Sequence, residues 1–342
     1  MRAFQLTGIR GLRQVDLPPP AVRRPTDVLV RIGAVGVCGS DVHYYIRGRI
    51  GSQVVQYPYL VGHECAGTVE KTGPAVTRVR SGDRVAVDPA MPCFACDQCR
   101  AGRCHTCRHL GFLGTPGQAE GCLCDYIVMP ETSCFPVPAA VSLELAALIE
   151  PLSIGAYTAR LAGDLRGRRA AILGCGPIGL SVLLAARQAG AACLYATDPL
   201  AYRQAVAQRC GADWCGAPEA AAAEIPRREP LGLDVVFECC GRQSALDQAV
   251  DLLKPGGRLV LVGIPEEDRV SFSIDILRRR EICIQNVRRQ NECVEAGIGL
   301  LHAFPDLCAG MITHRFPAEK TQAALDIVAE YADGVVKAMV LF

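Results

Sequence analysis

Arg168-Arg169-Ala170-Ala171-Ile172-Leu173, followed by Gly174-Cys175-Gly176-Pro177-Ile178-Gly179, reads as a buried strand, a glycine turn and the start of a helix. The uncharged run from Ala170 to Ala186 is just short of a membrane span, and glycines and a proline break its middle. A helix to about Ala189 and a strand over Ala192–Thr197 carry the pattern to Asp198. A Gly-x-Gly-x-x-Gly alone is a weak signal. Set between strand and helix, with an acid closing the second strand, it predicts a dinucleotide-binding unit. The glycines let the backbone approach a pyrophosphate, whose charge is favoured at the helix N-terminus. Asp198 can accept hydrogen bonds from both ribose hydroxyls and repels a 2′-phosphate, which favours NAD over NADP. Arg203, five residues on, is a nearby group able to tolerate a phosphate.

Alternation continues outward. Leu233–Glu238 reads as a strand, Gln243–Leu253 as a helix, Lys254–Gly257 as a turn and Arg258–Gly263 as a strand. Strands taking turns with helices predict a doubly wound parallel α/β sheet. On the N-terminal side, residues 1 to 90 read as short strands such as Val28–Ile32 and Asp83–Val87, punctuated by glycines. That pattern predicts an antiparallel β domain, a partly closed barrel.

Two groups of metal-ligating residues lie in the N-terminal half. Cys93, Cys96 and Cys99 recur at every third position, and Cys107 follows. Four soft thiolates on one short segment suit tetrahedral zinc, and such a closed site holds structure without doing chemistry. Cys104 is a spare thiol. The second group is Cys38 with His63 and Glu64, in stretches that read as Gly-rich turns. A lone histidine is more often a hydrogen-bonded core residue than a ligand, and a lone cysteine is usually a small hydrophobe. Together with adjacent carboxylates they predict a metal site with room for an open position.

The chain has 342 residues, enough for two domains, with 36 basic and 35 acidic residues and a net charge of +1. That balance gives no electrostatic support to nucleic-acid or membrane-surface binding. Nineteen cysteines spread over so long a chain, with no signal-peptide pattern, read as reduced thiols in a cytoplasmic protein. A zinc-ribbon module around the cysteine lobe is disfavoured by mixed flanking charge. A non-catalytic dinucleotide-binding protein would be marked by lost ligands, and Cys38, His63 and Glu64 are all present.

Taken in order, Cys38-Gly39-Ser40-Asp41-Val42-His43, Gly62-His63-Glu64-Cys65-Ala66-Gly67, Gly82-Asp83-Arg84-Val85 and the four-cysteine lobe resemble the zinc-dependent medium-chain dehydrogenases. Ala147-Leu148-Ile149-Glu150-Pro151-Leu152-Ser153 is similar to their sorbitol (polyol) dehydrogenase branch. The resemblance runs end to end. It implies a GroES-like zinc-binding catalytic domain over 1–151 and 285–342, and a Rossmann NAD-binding domain over 152–284. Cys38 and His63 match the first two catalytic ligands, and Glu150 stands where alcohol dehydrogenases have a cysteine. Glu64 and Glu150 remain a pair of candidate carboxylates. The coenzyme set is Gly174, Gly176, Pro177, Ile178, Gly179, Asp198, Arg203, Val262, Gly263 and Ile264.

The implied reaction is oxidation of a polyol or related secondary alcohol to the ketose, zinc acting as the Lewis acid that ionises the hydroxyl. An oxygen-rich metal centre also suits substrates with adjacent hydroxyls. Ser40 is the implied first step of a proton relay, and His43 can hand the proton to solvent. Tyr44, Phe112 and Arg289 are expected to line the substrate pocket. Threonine or aldose oxidation within the same family is the alternative. A homo-oligomer, tetramer before dimer, is expected, with no nucleic-acid or membrane partner.

Overall fold

The structure, a computed structural model, describes residues 1–265 and 267–342. Its contacts divide the chain into two compact units, Met1–Glu150 with Ile312–Phe342, and Pro151–Met311.

The first unit is built on a seven-stranded sheet. Strand Asp27–Gly36 lies at its centre, antiparallel to Glu64–Thr72, Tyr126–Pro130 and Lys337–Leu341. A second sheet joins Arg2–Gly8 to Gly11–Asp16 and Tyr59–Leu60. β-Branched residues at Val28, Val30, Ile32 and Val35 are fully buried and seed a core with Phe4, Leu6, Val85 and Val340. Strand Lys337–Leu341 lies between Asp27–Gly36 and the edge strand Ile312–Pro317, with which it pairs in parallel.

One stretch expected as a turn is a helix, Gly39–Arg47. Asp41 takes the backbone N–H of Cys38 at 3.2 Å, capping the helix start. Gly48, left-handed at φ 67°, ends the helix by donating to Tyr44 O at 3.0 Å. Val42, Tyr44 and Tyr45 are buried. Tertiary burial thus outweighs the glycines that suggested a loop.

The second unit holds a six-stranded parallel sheet in the order Trp214–Gly216, Cys193–Thr197, Arg169–Leu173, Leu233–Glu238, Leu253–Leu261, Cys283–Asn286. The order reverses on either side of Arg169–Leu173, the switch point at which such sheets bind ligands. The strand expected to begin at Arg258 starts at Leu253, because Leu253 pairs with Leu233 and the Lys254–Gly257 segment bulges within it. The second junction also differs from the expected 284–285. Cys283–Asn286 completes the sheet, and helices Val294–Ala303 and Pro305–Met311 pack on Pro177–Gln188 and Ala201–Arg209, so the crossing falls at Met311–Ile312. Among the described residues, no helix is long and apolar enough to cross a membrane.

Candidate active site

In the first unit, Cys38, His63 and Glu64 each bring one ligand atom to a common point, all within 4.8 Å of one another. Pairing of strands Asp27–Gly36 and Glu64–Thr72 sets Gly36 opposite Glu64, so residues from both chain segments meet at one sheet end. His63 and Glu64 are buried and Cys38 is half-buried. Asp41 reaches His63 Nδ1 at 3.3 Å and takes Gly62 N–H at 3.1 Å. Burial opposes the imidazolium, but Asp41 and Cys38 outweigh it and hold His63 well above the ordinary histidine range.

Glu150 shares this environment, facing His63, Glu64, Lys337 and Asp88 electrostatically. Burial, with Glu64 and Asp88 adding to it, pushes its carboxyl up to about 8, against the pull of His63 and Lys337. Among the described residues, its buried Oε2 has no hydrogen-bond partner. A buried carboxylate oxygen without a partner calls for a ligand to complete it. Thiolate, imidazole and carboxylate are the donors a catalytic zinc takes, so the residues fit that ion.

Helix Gly39–Arg47 carries three of the expected site residues. Ser40 Oγ donates to Cys38 Sγ at 3.3 Å, His43 is half-buried one turn further, and Tyr44 OH donates to Gln53 at 3.2 Å. The Phe112 ring lies 5.6 Å from the His63 ring. Arg289 belongs to the second unit, at a left-handed φ of 55°.

Cys93, Cys96, Cys99 and Cys107 of the lobe bring their sulfur atoms within 4.8 Å of one another. Cys96 Sγ is 3.6 Å from Cys99 Sγ and 3.8 Å from Cys107 Sγ, and Cys93 completes the cluster. Zn–S bonds of about 2.3 Å give tetrahedron edges of about 3.8 Å, so the thiols are set for zinc. Backbone N–H groups of Ala95 and Cys96 lower the Cys93 thiol, and those of Cys99 and Arg108 lower Cys96 to about 6. Cys104 lies outside the cluster.

In the second unit, Gly174 has φ 101°, and a Cβ on Gly179 would lie 1.8 Å from Gly174 O. Only glycine allows that turn and that closeness of helix to strand. Asp198 is buried, accepting from Cys175 N at 2.8 Å and Leu200 N at 2.9 Å. Arg203 stands 4.0 Å from it. Val262 N and Gly263 N donate to Glu238 O at 2.8 and 2.9 Å, and Ile264 is exposed.

Three further residues serve these sites. Asp41 sits within Cys38-Gly39-Ser40-Asp41-Val42-His43, and its role depends on the helix that aims it. Glu238 accepts Cys240 N and Gly241 N at 2.8 and 2.6 Å, bracing that loop. Lys337 is 1% exposed and donates to Glu64 Oε2 at 2.6 Å. The signal for Lys337 was present: one lysine in the apolar run Val335-Val336-Lys337-Ala338-Met339-Val340.

Residues 24–139 match the alcohol dehydrogenase GroES-like domain, and residues 177–303 match the zinc-binding dehydrogenase domain. The chain is 34% identical to sorbitol dehydrogenase of Bacillus subtilis (strain 168), over 99% of this chain and 97% of that protein. It is 35% identical to sorbitol dehydrogenase of Homo sapiens, over 92% and 88%. Among solved structures, an oxidoreductase/dehydrogenase of unknown specificity from Escherichia coli superposes with a TM-score of 0.93 at 28% identity, covering 99% and 98% of the two chains. With GroES-like and Rossmann units in this order, the chain belongs to the zinc-dependent medium-chain dehydrogenases, in their sorbitol dehydrogenase-like branch.

Proposed function

We propose that the chain oxidises a polyol, a sorbitol-, xylitol- or iditol-like secondary alcohol, to the ketose with NAD as hydride acceptor. The observation that carries this is the convergence of Cys38, His63 and Glu64 within 4.8 Å beside the unpartnered Oε2 of Glu150. The balanced reaction takes a secondary alcohol and NAD to a ketone, NADH and one proton.

Cys38, His63 and a carboxylate from Glu64 or Glu150 would hold zinc, which supplies Lewis-acid polarisation of the substrate hydroxyl. Asp41 orients His63 from Nδ1, leaving Nε2 for the ion. Ser40 Oγ is the hydroxyl positioned to take the substrate proton, and His43 on the same helix passes it toward solvent. Phe112, packed on His63, excludes water from the imidazole. In the second unit the Gly174–Gly179 turn would take the pyrophosphate, and Asp198 the adenosine ribose. Cys93, Cys96, Cys99 and Cys107 would hold the second, structural zinc. The same reading carries a cytoplasmic homo-oligomer, tetramer or dimer.

The test is an initial-rate panel of sugar alcohols, threonine and aldoses with NAD and NADP, alongside a zinc count. Turnover of a sugar alcohol with NAD and about two zinc ions per chain is expected. Activity confined to threonine or aldoses would overturn the polyol assignment, and preference for NADP would overturn the role of Asp198.

A further inference from the structure

Lys337 lies in strand Lys337–Leu341 with every neighbour from Val335 to Val340 buried. A lysine in such a place needs a partner that compensates for lost hydration. It has two: Nζ donates to Glu64 Oε2 at 2.6 Å and to the carbonyl oxygen of Val37 at 3.2 Å. Val37 directly precedes Cys38, and Glu64 directly follows His63, so one ammonium ties together both segments that carry the ligand set.

Glu64 has little room to go elsewhere. A Cβ on Gly36 would lie 2.3 Å from Glu64 Oε2, so the carboxylate occupies the space that a side chain on the facing strand would fill. Lys337 also faces Cys38 and Glu150 electrostatically. A thiolate at Cys38 and a carboxylate at Glu64 would place two negative charges in a buried pocket, next to the Glu150 carboxyl. A divalent cation balances them, and without it they repel one another at low effective dielectric.

Resting on the zinc reading of this site, we propose that Lys337 is a positioning residue of the metal centre. Its ammonium fixes Glu64 by Oε2 and Val37 by its carbonyl, and serves as an internal cation that keeps the Cys38–His63–Glu64 set assembled when metal is absent. A residue that only filled space would matter equally in both metal states. Lys337 matters most in the metal-free one, where its ammonium is the cationic group hydrogen-bonded to Glu64.

The experiment compares thermal unfolding of full-length wild type, Lys337→Met and Lys337→Arg, each zinc-loaded and after chelation. The cysteine lobe is common to all three and cancels in the comparison. Metal-free Lys337→Met is expected to melt about 5–10 °C below metal-free wild type, with a clearly smaller gap in zinc. Lys337→Arg, which keeps the charge, should restore most of the loss. A drop of equal size with and without zinc, or no drop, overturns the proposal. So does a Lys337→Met chain that cannot be recovered even in zinc. Zinc analysis of Cys38→Ser runs in parallel: loss of one ion per chain upholds the underlying metal site. An unchanged count removes that reading, and the proposal falls with it for a separately identified reason.

Discussion

Asp41 Oδ1 stands 3.3 Å from His63 Nδ1, and the same oxygen accepts Gly62 N–H at 3.1 Å. One buried carboxylate therefore fixes both the imidazole and the backbone that carries it. Its other oxygen takes Cys38 N–H at 3.2 Å, so the two segments bearing thiolate and imidazole share one brace. Outer partners of this kind set the histidine tautomer and ligand basicity.

Asp41→Asn keeps the shape but removes the charge that favours donation from Nδ1. Zinc affinity at the Cys38–His63 site should fall about 10- to 100-fold, read by chelator competition. Asp41→Ala, which also abandons two backbone N–H groups, should in addition lower the melting temperature. Unchanged affinity in Asp41→Asn would show that His63 is held by packing alone.

Removing one thiolate from the lobe opens a closed coordination shell. Cys99→Ser should reduce bound zinc from about two to about one per chain. The segment around residues 93–107 should then become sensitive to limited proteolysis, because its short helices bury little apolar surface. Zinc analysis with peptide mapping checks both, and full zinc retention would count Cys104 as a replacement ligand.

Much of this layout was legible from residue spacing. The Gly174–Gly179 turn and the cysteine lobe are local devices, their geometry determined within a few residues, so sequence order alone reports them. Lys337 acts on a side chain far along the chain, as the Glu238 carbonyl does on Val262 N and Gly263 N, and only the sheet pairing brings these groups together. The helix from Gly39 was masked by its flanking glycines, which serve as helix start and left-handed stop. The late junction at Met311 was hidden because Cys283–Asn286 extends the parallel sheet through an exposed edge strand with a weak apolar pattern.

Asp198 uses both carboxylate oxygens on backbone N–H groups, Cys175 of the glycine turn and Leu200 at the start of the next helix. Asp198→Ala should weaken NAD binding about tenfold, about 1.4 kcal/mol, and narrow the gap to NADP. Fluorescence titration with each dinucleotide gives both numbers. With Arg203 4.0 Å away, the variant should gain tolerance of a 2′-phosphate, and an unchanged NAD:NADP ratio would refute the ribose role.

At the amino ends of the parallel strands, Asp234 accepts Lys254 Nζ at 2.5 Å, Arg169 N at 2.9 Å and Arg168 at 3.0 Å. Burial opposes its charge, but these three donors outweigh burial and hold the carboxyl below its ordinary range. A carboxylate depressed in the folded state adds stability that is present above the unfolded value of about 4 and lost as pH falls through the folded value. Asp234→Asn should cost about 1–3 kcal/mol at neutral pH and flatten the fall in stability below pH about 4. Denaturant unfolding across that range tests the sign.

Glu238 closes strand Leu233–Glu238 and is 1% exposed. Its side chain accepts Cys240 N and Gly241 N, while its carbonyl accepts Val262 N and Gly263 N, so two loop segments hang on one residue. A Cβ on Gly263 would lie 2.3 Å from Gly241 N, which shows how closely those loops pack. Glu238→Ala leaves two N–H groups without their acceptor and should cost about 1.5–3 kcal/mol. The loosened 239–241 and 262–264 segments should also weaken NAD binding. Glu238→Gln retains one oxygen for Cys240 and Gly241 and should stay near wild type in both thermal unfolding and NAD titration. If Glu238→Ala loses stability but binds NAD normally, the brace serves the fold and not the coenzyme.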